Sequence, residues 1–288
     1  MTALRKPPFI PQRDVRTRRI RFNYPAGGFN RHYVSGDLMM SHIVSMLSAT
    51  FPEGEDFFVR SVRHYADQVT DPELKKQVAG FVGQEVTHGR EHRALNERLQ
   101  EMGYPTRFVD RFVKAGLRRE ERLFGPAYCL AVTSALEHYT ATLAETLLTN
   151  DDARALLGNT EVRSMLLWHA LEESEHKSVA FDVYQTCVGS EKLRIRAMRV
   201  TTFSFLFFVT MHTIHSLLRD RATYNPIRLV KSIWGLRKSP FIGKDVVARI
   251  RAYNKVGFHP DDNDNTELVA YWSAQLFGEQ GSLADHLK

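Results

Sequence analysis

Cysteine is scarce: 288 residues contain only Cys129 and Cys187. Two cysteines without C-x-x-C spacing make no disulfide framework, and they leave no thiolate cluster for zinc or iron–sulfur ligation. A reducing, cytoplasmic compartment is the expectation. Proline and glycine are also sparse, at 11 and 17 residues, which argues against a turn-rich β fold. No apolar segment follows the first basic residues, so no secretory signal is expected. The chain has no P-loop, no G-x-S-x-G elbow and no convincing dinucleotide fingerprint. The run Asp261-Asp262-Asn263-Asp264-Asn265 lacks the spacing and the distal glutamate of an EF-hand.

What is present is ordinary in amount: 43% apolar and 25% charged residues, enough chain to bury a large core. The net charge of +6 is concentrated at the N-terminus, where Arg5, Lys6, Arg13, Arg16, Arg18, Arg19 and Arg21 face only Asp14. Such an arm can meet an anionic partner or be a solvated tail. No base-stacking aromatic pattern accompanies it, so nucleic acid is not an expected partner.

Helix signals dominate after residue 35. Asp37 to Ser48 reads as a short apolar helix, and Thr50-Phe-Pro-Glu53 as a capping box opening a second helix through Gln68. Asp71-Pro72 starts a helix that Gly103 and Pro105 stop near Met102. Further helices are expected over Arg107–Leu123, from Gly125-Pro126 to about Leu148, and from Thr160 to about Val188. The predicted organisation is a basic arm over 1–35, a metal-holding four-helix bundle over 36–190, and a helical extension over 191–288 packed on the bundle.

Val200–Leu218 carries no acid, Lys or Arg, and arginines flank it on both sides. Its length is marginal for a bilayer span, and its threonines, serines and histidines dilute it. A buried core helix and a helix lying at a membrane surface are both open. The expectation is a cytoplasmic protein, peripheral at the inner face of the membrane at most.

One weak repeat carries the chemistry. Glu55 stands alone and is followed after 30 residues by Glu85-Val-Thr-His88. Glu137 stands alone and is followed after 36 residues by Glu173-Ser-Glu-His176. On a helix, positions i and i+3 lie about 60° apart on one face, so a carboxylate and an imidazole can meet one ion. Four helices giving two lone glutamates and two Glu-x-x-His pairs is the arrangement of two-metal bundles. Each acid alone reads as a solvated helix face. Here, however, all four lie in apolar stripes with no matching Lys or Arg stripe, and buried carboxylates without cations are costly.

The expected ligands are therefore Glu55, Glu85, His88, Glu137, Glu173 and His176, with Glu85 and Glu173 bridging. His92, His169 and Glu172 lie on the same faces as further ligands or as groups that orient a ligand. Glu172 or His169 is also the expected proton acceptor. Carboxylate and imidazole without thiolate suit two ions of iron, with manganese or zinc as alternatives.

The segments FPEGEDFF, GQEVTHGREH, ALEHYTA, WHALEESEHKSVAFDVY and GFHP together resemble the bacterial family called predicted metal-dependent hydrolases, over roughly residues 20–275. The twofold Glu, Glu-x-x-His order also resembles the ferritin-like diiron carboxylate proteins. These resemblances imply an all-α, ferritin-like four-helix bundle with additional C-terminal helices. The ligand set favours a diiron oxidase or oxygenase served by an electron donor protein; a metal-dependent hydrolase, as the resembled family is named, is the alternative, and a non-enzymatic metal-binding protein the second alternative. The apolar helix points to a small apolar or lipid-like substrate for either enzyme.

Overall fold

The computed structural model describes residues 10–158 and 160–288, so Arg5 and Lys6 of the basic arm lie outside the described residues. The chain is all-α. Among the described residues there is no strand, only an isolated antiparallel bridge between Ile20 and Leu287.

Helix α1 spans Leu38–Arg63, and the Asp37 side chain caps it by accepting from the Met40 amide. The break expected before Thr50 does not occur. Thr50 lies within the helix, donating its hydroxyl to the Leu47 carbonyl, and Pro52 sits inside α1. Proline removes the amide that would bond the Ser48 carbonyl. Asn96 supplies the missing donor, its Nδ2 lying 2.9 Å from that carbonyl. A side chain 48 residues away thus makes continuous a helix that local signals would end.

Helix α2, Pro72–Glu101, begins as expected with Asp71 accepting from the Leu74 amide. Helix α3 covers Thr106–Leu123, α4 Pro126–Thr149 and the short α5 Asp151–Leu156. The single helix expected from Thr160 to Val188 is two: α6, Glu161–His176, and α7, Val179–Cys187. The interruption falls at Lys177 and Ser178, whose side chains bond Glu145 and Asp261 outside their own helix. Then follow α8, Glu191–Leu218, α9, Pro226–Leu236, α10, Lys244–Ala252, and α11, Thr266–Phe277.

Helices α1 and α2 pack as one pair and α4 and α6 as another, with α1 against α4 and α2 against α6 closing the group of four. Two apolar clusters fill it. Met46, Leu95, Leu99, Leu148, Met165 and Trp168 belong to one, and Phe57, Val62, Phe81, Leu130 and Val183 to the other. Along α1, α2 and α4, and from α6 into α7, the polar positions fall between these clusters. Full burial of each such side chain contributes about 1.5–3 kcal/mol, which offsets the cost of the polar layer between them. Helix α8 packs on α4 and α1, α9 on α1, α10 on α4 and α11 on α6.

The described part of the basic arm is not a solvated tail. Ile20 is fully buried, Phe22 nearly so, and Arg18 reaches Glu172 and Glu175 on α6. The arm runs along α2 over Gly80 and Gly83, where a Cβ would collide with Val15 and Thr17. Arg13 pairs with Asp182 and Asp261.

Candidate metal centre

The four helices bring Glu55, Glu85, Glu137 and Glu173 to one level, none more than 3% exposed. His88 and His176 are fully buried beside them. His176 Nε2 lies 3.1 Å from Glu85, 3.4 Å from Glu137 and 3.6 Å from Glu173. His169 Nε2 lies 2.8 Å from Glu173 and 3.8 Å from Glu55, and His88 Nδ1 lies 3.7 Å from Glu173. Donor atoms close enough to share one ion fall into adjoining groups: Glu85, Glu137 and His176; Glu55, Glu85 and His88; His88, His169 and Glu173; and Glu55, His92 and His169.

Hydrogen bonds behind these groups fix which ring nitrogen faces the carboxylates. Gln84 Nε2 donates to the Arg16 carbonyl and to Glu175, so its Oε1 accepts from His176 Nδ1 at 2.9 Å. His88 Nε2 donates to Glu172 at 3.0 Å, and Glu172 in turn accepts from Arg18. Asn96 donates to the Ser48 carbonyl and accepts from the Ser48 hydroxyl. Ser48 must then accept from His92 Nδ1, and His92 Nε2 from His169 Nδ1. The first two chains each leave a partnerless nitrogen, His176 Nε2 or His88 Nδ1, toward the carboxylates, and the third turns His169 Nε2 onto Glu173 Oε1 at 2.8 Å. Both ring nitrogens of His92 are engaged.

The electrostatics match this geometry. Burial, then the neighbouring carboxylates, pushes Glu55 and Glu85 well above the usual carboxylate range. Burial raises Glu137 to about 7, with Glu173 adding to it. Burial also favours neutral His176, but Glu173, Glu137 and Glu85 outweigh it and raise that ring well above its ordinary value. Among the described residues no Lys or Arg pairs with these four carboxylates, whose ion-pair partners are histidines alone. Both oxygens of Glu55, Glu85 and Glu137, one of Glu173, His88 Nδ1 and His176 Nε2 are buried without a hydrogen-bond partner. Orphaned buried polar atoms of this number are rare, and cations coordinated among them would satisfy all of them at once.

Three groups that sequence reasoning passed over hold this layer: Gln84, the Ser48–Asn96 pair and Arg18. The first two lie on the same helices as ligand candidates and could have been sought there. Arg18 had no local signal. His138, by contrast, turns away and donates to the Arg249 carbonyl. A second His/Asp group, His32, His42 and Asp220, is an ion-pair hub. Arg31 bonds Asp220 and Arg228 bonds His32 Nδ1, so His32 gives its Nε2 proton to Asp220 and keeps no lone pair for a cation.

Beside His169, His92 and Glu173 lies a cavity of about 160 Å³. Its walls are almost entirely apolar, including Leu47, Phe51, Leu143, Leu166 and Phe241.

A family model described as predicted metal-dependent hydrolase matches residues 16–264. No curated protein and no solved structure matches the chain.

Proposed function

From the premise that the chain belongs to the family of predicted metal-dependent hydrolases, and so is a metal-dependent enzyme, we propose that it hydrolyses an ester or amide bond of an apolar, lipid-like substrate at a centre of two metal ions. The observation that carries this reading is the layer of partnerless carboxylate oxygens and ring nitrogens. Four carboxylates balance two divalent ions. Glu55, Glu85, His88, Glu137, Glu173 and His176 would hold them, with Glu85 and Glu173 shared and His169 as a further ligand. Iron suits this donor set, as do manganese and zinc.

When bound, such ions lower the pKa of water and polarise a carbonyl. The chain's own groups do the rest. Glu172, Gln84 and His92 keep His88, His176 and His169 in one tautomer and one orientation. Glu172, bonded by both Arg18 and His88, serves in this reading as an orienting group and not as a free proton acceptor. The apolar cavity takes the substrate's chain and keeps bulk water from the layer.

A second reading is favoured by a specific observation: the cavity wall next to His169 offers almost no hydrogen-bond donor for a carbonyl oxygen. Oxidation of an apolar chain by a diiron centre needs none, and it would draw on an electron donor protein. One pair of assays separates the two. Metal-loaded protein is given p-nitrophenyl esters of graded acyl length, and ferrous-loaded protein is followed for O₂ uptake with fatty chains. Metal-dependent hydrolysis that improves with acyl length supports the first reading. O₂ uptake with no hydrolysis replaces it by the second.

A further inference from the structure

Helix α8 shows two unlike faces. Arg194, Ala197, Met198, Thr201, His212 and Ser216 are buried against the rest of the molecule. The opposite face exposes Val200, Phe203, Phe207, Met211, Ile214 and Leu218, a continuous stripe at spacings of three and four. Phe203 is 75% and Phe207 61% exposed, and their rings stack on each other. A solvated helix does not carry six outward apolar side chains in register, and a patch of this kind marks a surface that something covers.

The patch extends beyond one helix. Phe108 and Phe112 on α3 are half exposed while touching His212 of α8. Helix α9 exposes Ile227, Val230, Ile233 and Trp234. Its rim is basic. Arg196 and Arg199 precede the stripe, and Arg219 and Arg221 follow it, all exposed and with no acid paired to them among the described residues. Arg237 lies over the Trp234 ring at 5.0 Å, and α3 adds exposed Arg107, Arg111 and Arg118.

We propose that this face of α3, α8 and α9 docks on an anionic membrane surface, with the aromatic stripe entering the interfacial layer and the arginine rim meeting lipid phosphates. Charge decides between occupants. A second copy related by a twofold axis would set one arginine rim against another, whereas anionic headgroups complement it. Packing argues against a span, since one side of α8 is committed to α1 and α4. The turn Pro240–Ile242, just after α9, places Phe241 in the wall of the apolar cavity, and Ile242 is exposed beside it. Helices α8 and α9 both pack on α1, whose Met40, Ile43 and Leu47 line the same cavity. The inference stands independently of which reaction the centre performs.

The test is co-sedimentation of the full chain with vesicles of phosphatidylcholine alone or with about a quarter phosphatidylglycerol, the anionic lipid that a basic rim attracts. The expected result is binding to the anionic vesicles, at least tenfold weaker on neutral ones. Both F203S/F207S and R196E/R199E should lose at least tenfold while keeping metal content and thermal unfolding, because all four side chains are exposed. Failure to bind anionic vesicles overturns the proposal. So does a wild-type dimer in ultracentrifugation that F203S/F207S turns into monomer, since a second copy would then cover the face. Retention in membranes through carbonate washing would mean that α8 inserts fully, which also overturns it.

Discussion

His92 Nε2 stands 2.8 Å from His169 Nδ1, and this single contact decides which nitrogen of His169 faces Glu173 and Glu55. Ser48 holds His92 from behind. His92→Phe keeps the ring volume and removes the bond. Metal affinity should fall about 10- to 100-fold, the usual effect of losing a ligand's orienting partner. Ser48→Ala should cost less, because His92 stays stacked on Phe51. Titration against a competing chelator reads both. Unchanged affinity in His92→Phe would remove His169 from the ligand set.

Glu55 should behave oppositely with and without metal. Both its oxygens are buried without a partner, and its carboxylate neighbours disfavour its charge. In metal-free protein, Glu55→Gln removes that penalty and should raise stability by about 1 kcal/mol or more. In metal-loaded protein the same change removes a ligand and should lower it. Paired thermal melts, with and without chelator, should therefore cross.

Metal-free protein should lose stability as pH rises from about 6.5 to 8. The folded-state pKa of Glu55, Glu85, Glu137 and Glu172 is raised, to about 7 for the last two. In this window the unfolded chain has already released those protons, while the folded one still holds them. The folded state thus binds more protons, and stability falls as they leave. His176, raised by its carboxylates despite burial, acts in the same direction. His88 and His92, lowered by burial, act only below about pH 6.5, where the unfolded rings begin to charge. Bound metal needs the carboxylates ionised, so it should flatten or reverse the slope. Melts at pH 6.5 and 8 with and without chelator measure it.

Filling the cavity should shorten the preferred substrate. Ala144 lines it and is nearly buried, so Ala144→Phe pushes a ring into the space near Leu143 and Phe51. Activity on long acyl chains should drop at least tenfold relative to short ones, with metal content unchanged. An equal loss at every length would place the substrate elsewhere.

Much of this architecture could be read from local signals. Asp71-Pro72 and Gly125-Pro126 start helices where the sequence places them, because caps and first-turn prolines act within one turn. The i, i+3 spacing of Glu85 with His88 and of Glu173 with His176 puts each pair on one face, and the structure brings both pairs to one layer. What could not be read depends on distant partners. Thr50-Phe-Pro-Glu53 carries every local mark of a helix start, yet Asn96 overrides it. Glu172 has the sequence profile of a free base, and only the folded arm shows Arg18 bonded to it. The four phenylalanines around Phe203 and Phe208 look evenly spread in sequence. In the structure Phe205 packs on Tyr139 and Phe208 on Phe112, while Phe203 and Phe207 face outward.

The arm laid over Gly80 and Gly83 ties both ends of the centre to one guanidinium. Arg18 bonds Glu172, which steadies His88. It also bonds Glu175, which steadies Gln84 and through it His176. Whatever free energy the seated arm adds to ion capture, captured ions must return to the seating of the arm, because linkage is reciprocal. The seated arm is thus a gauge of occupancy: a protease that cuts at Arg16 or Arg19 will find loaded molecules slower to open than empty ones.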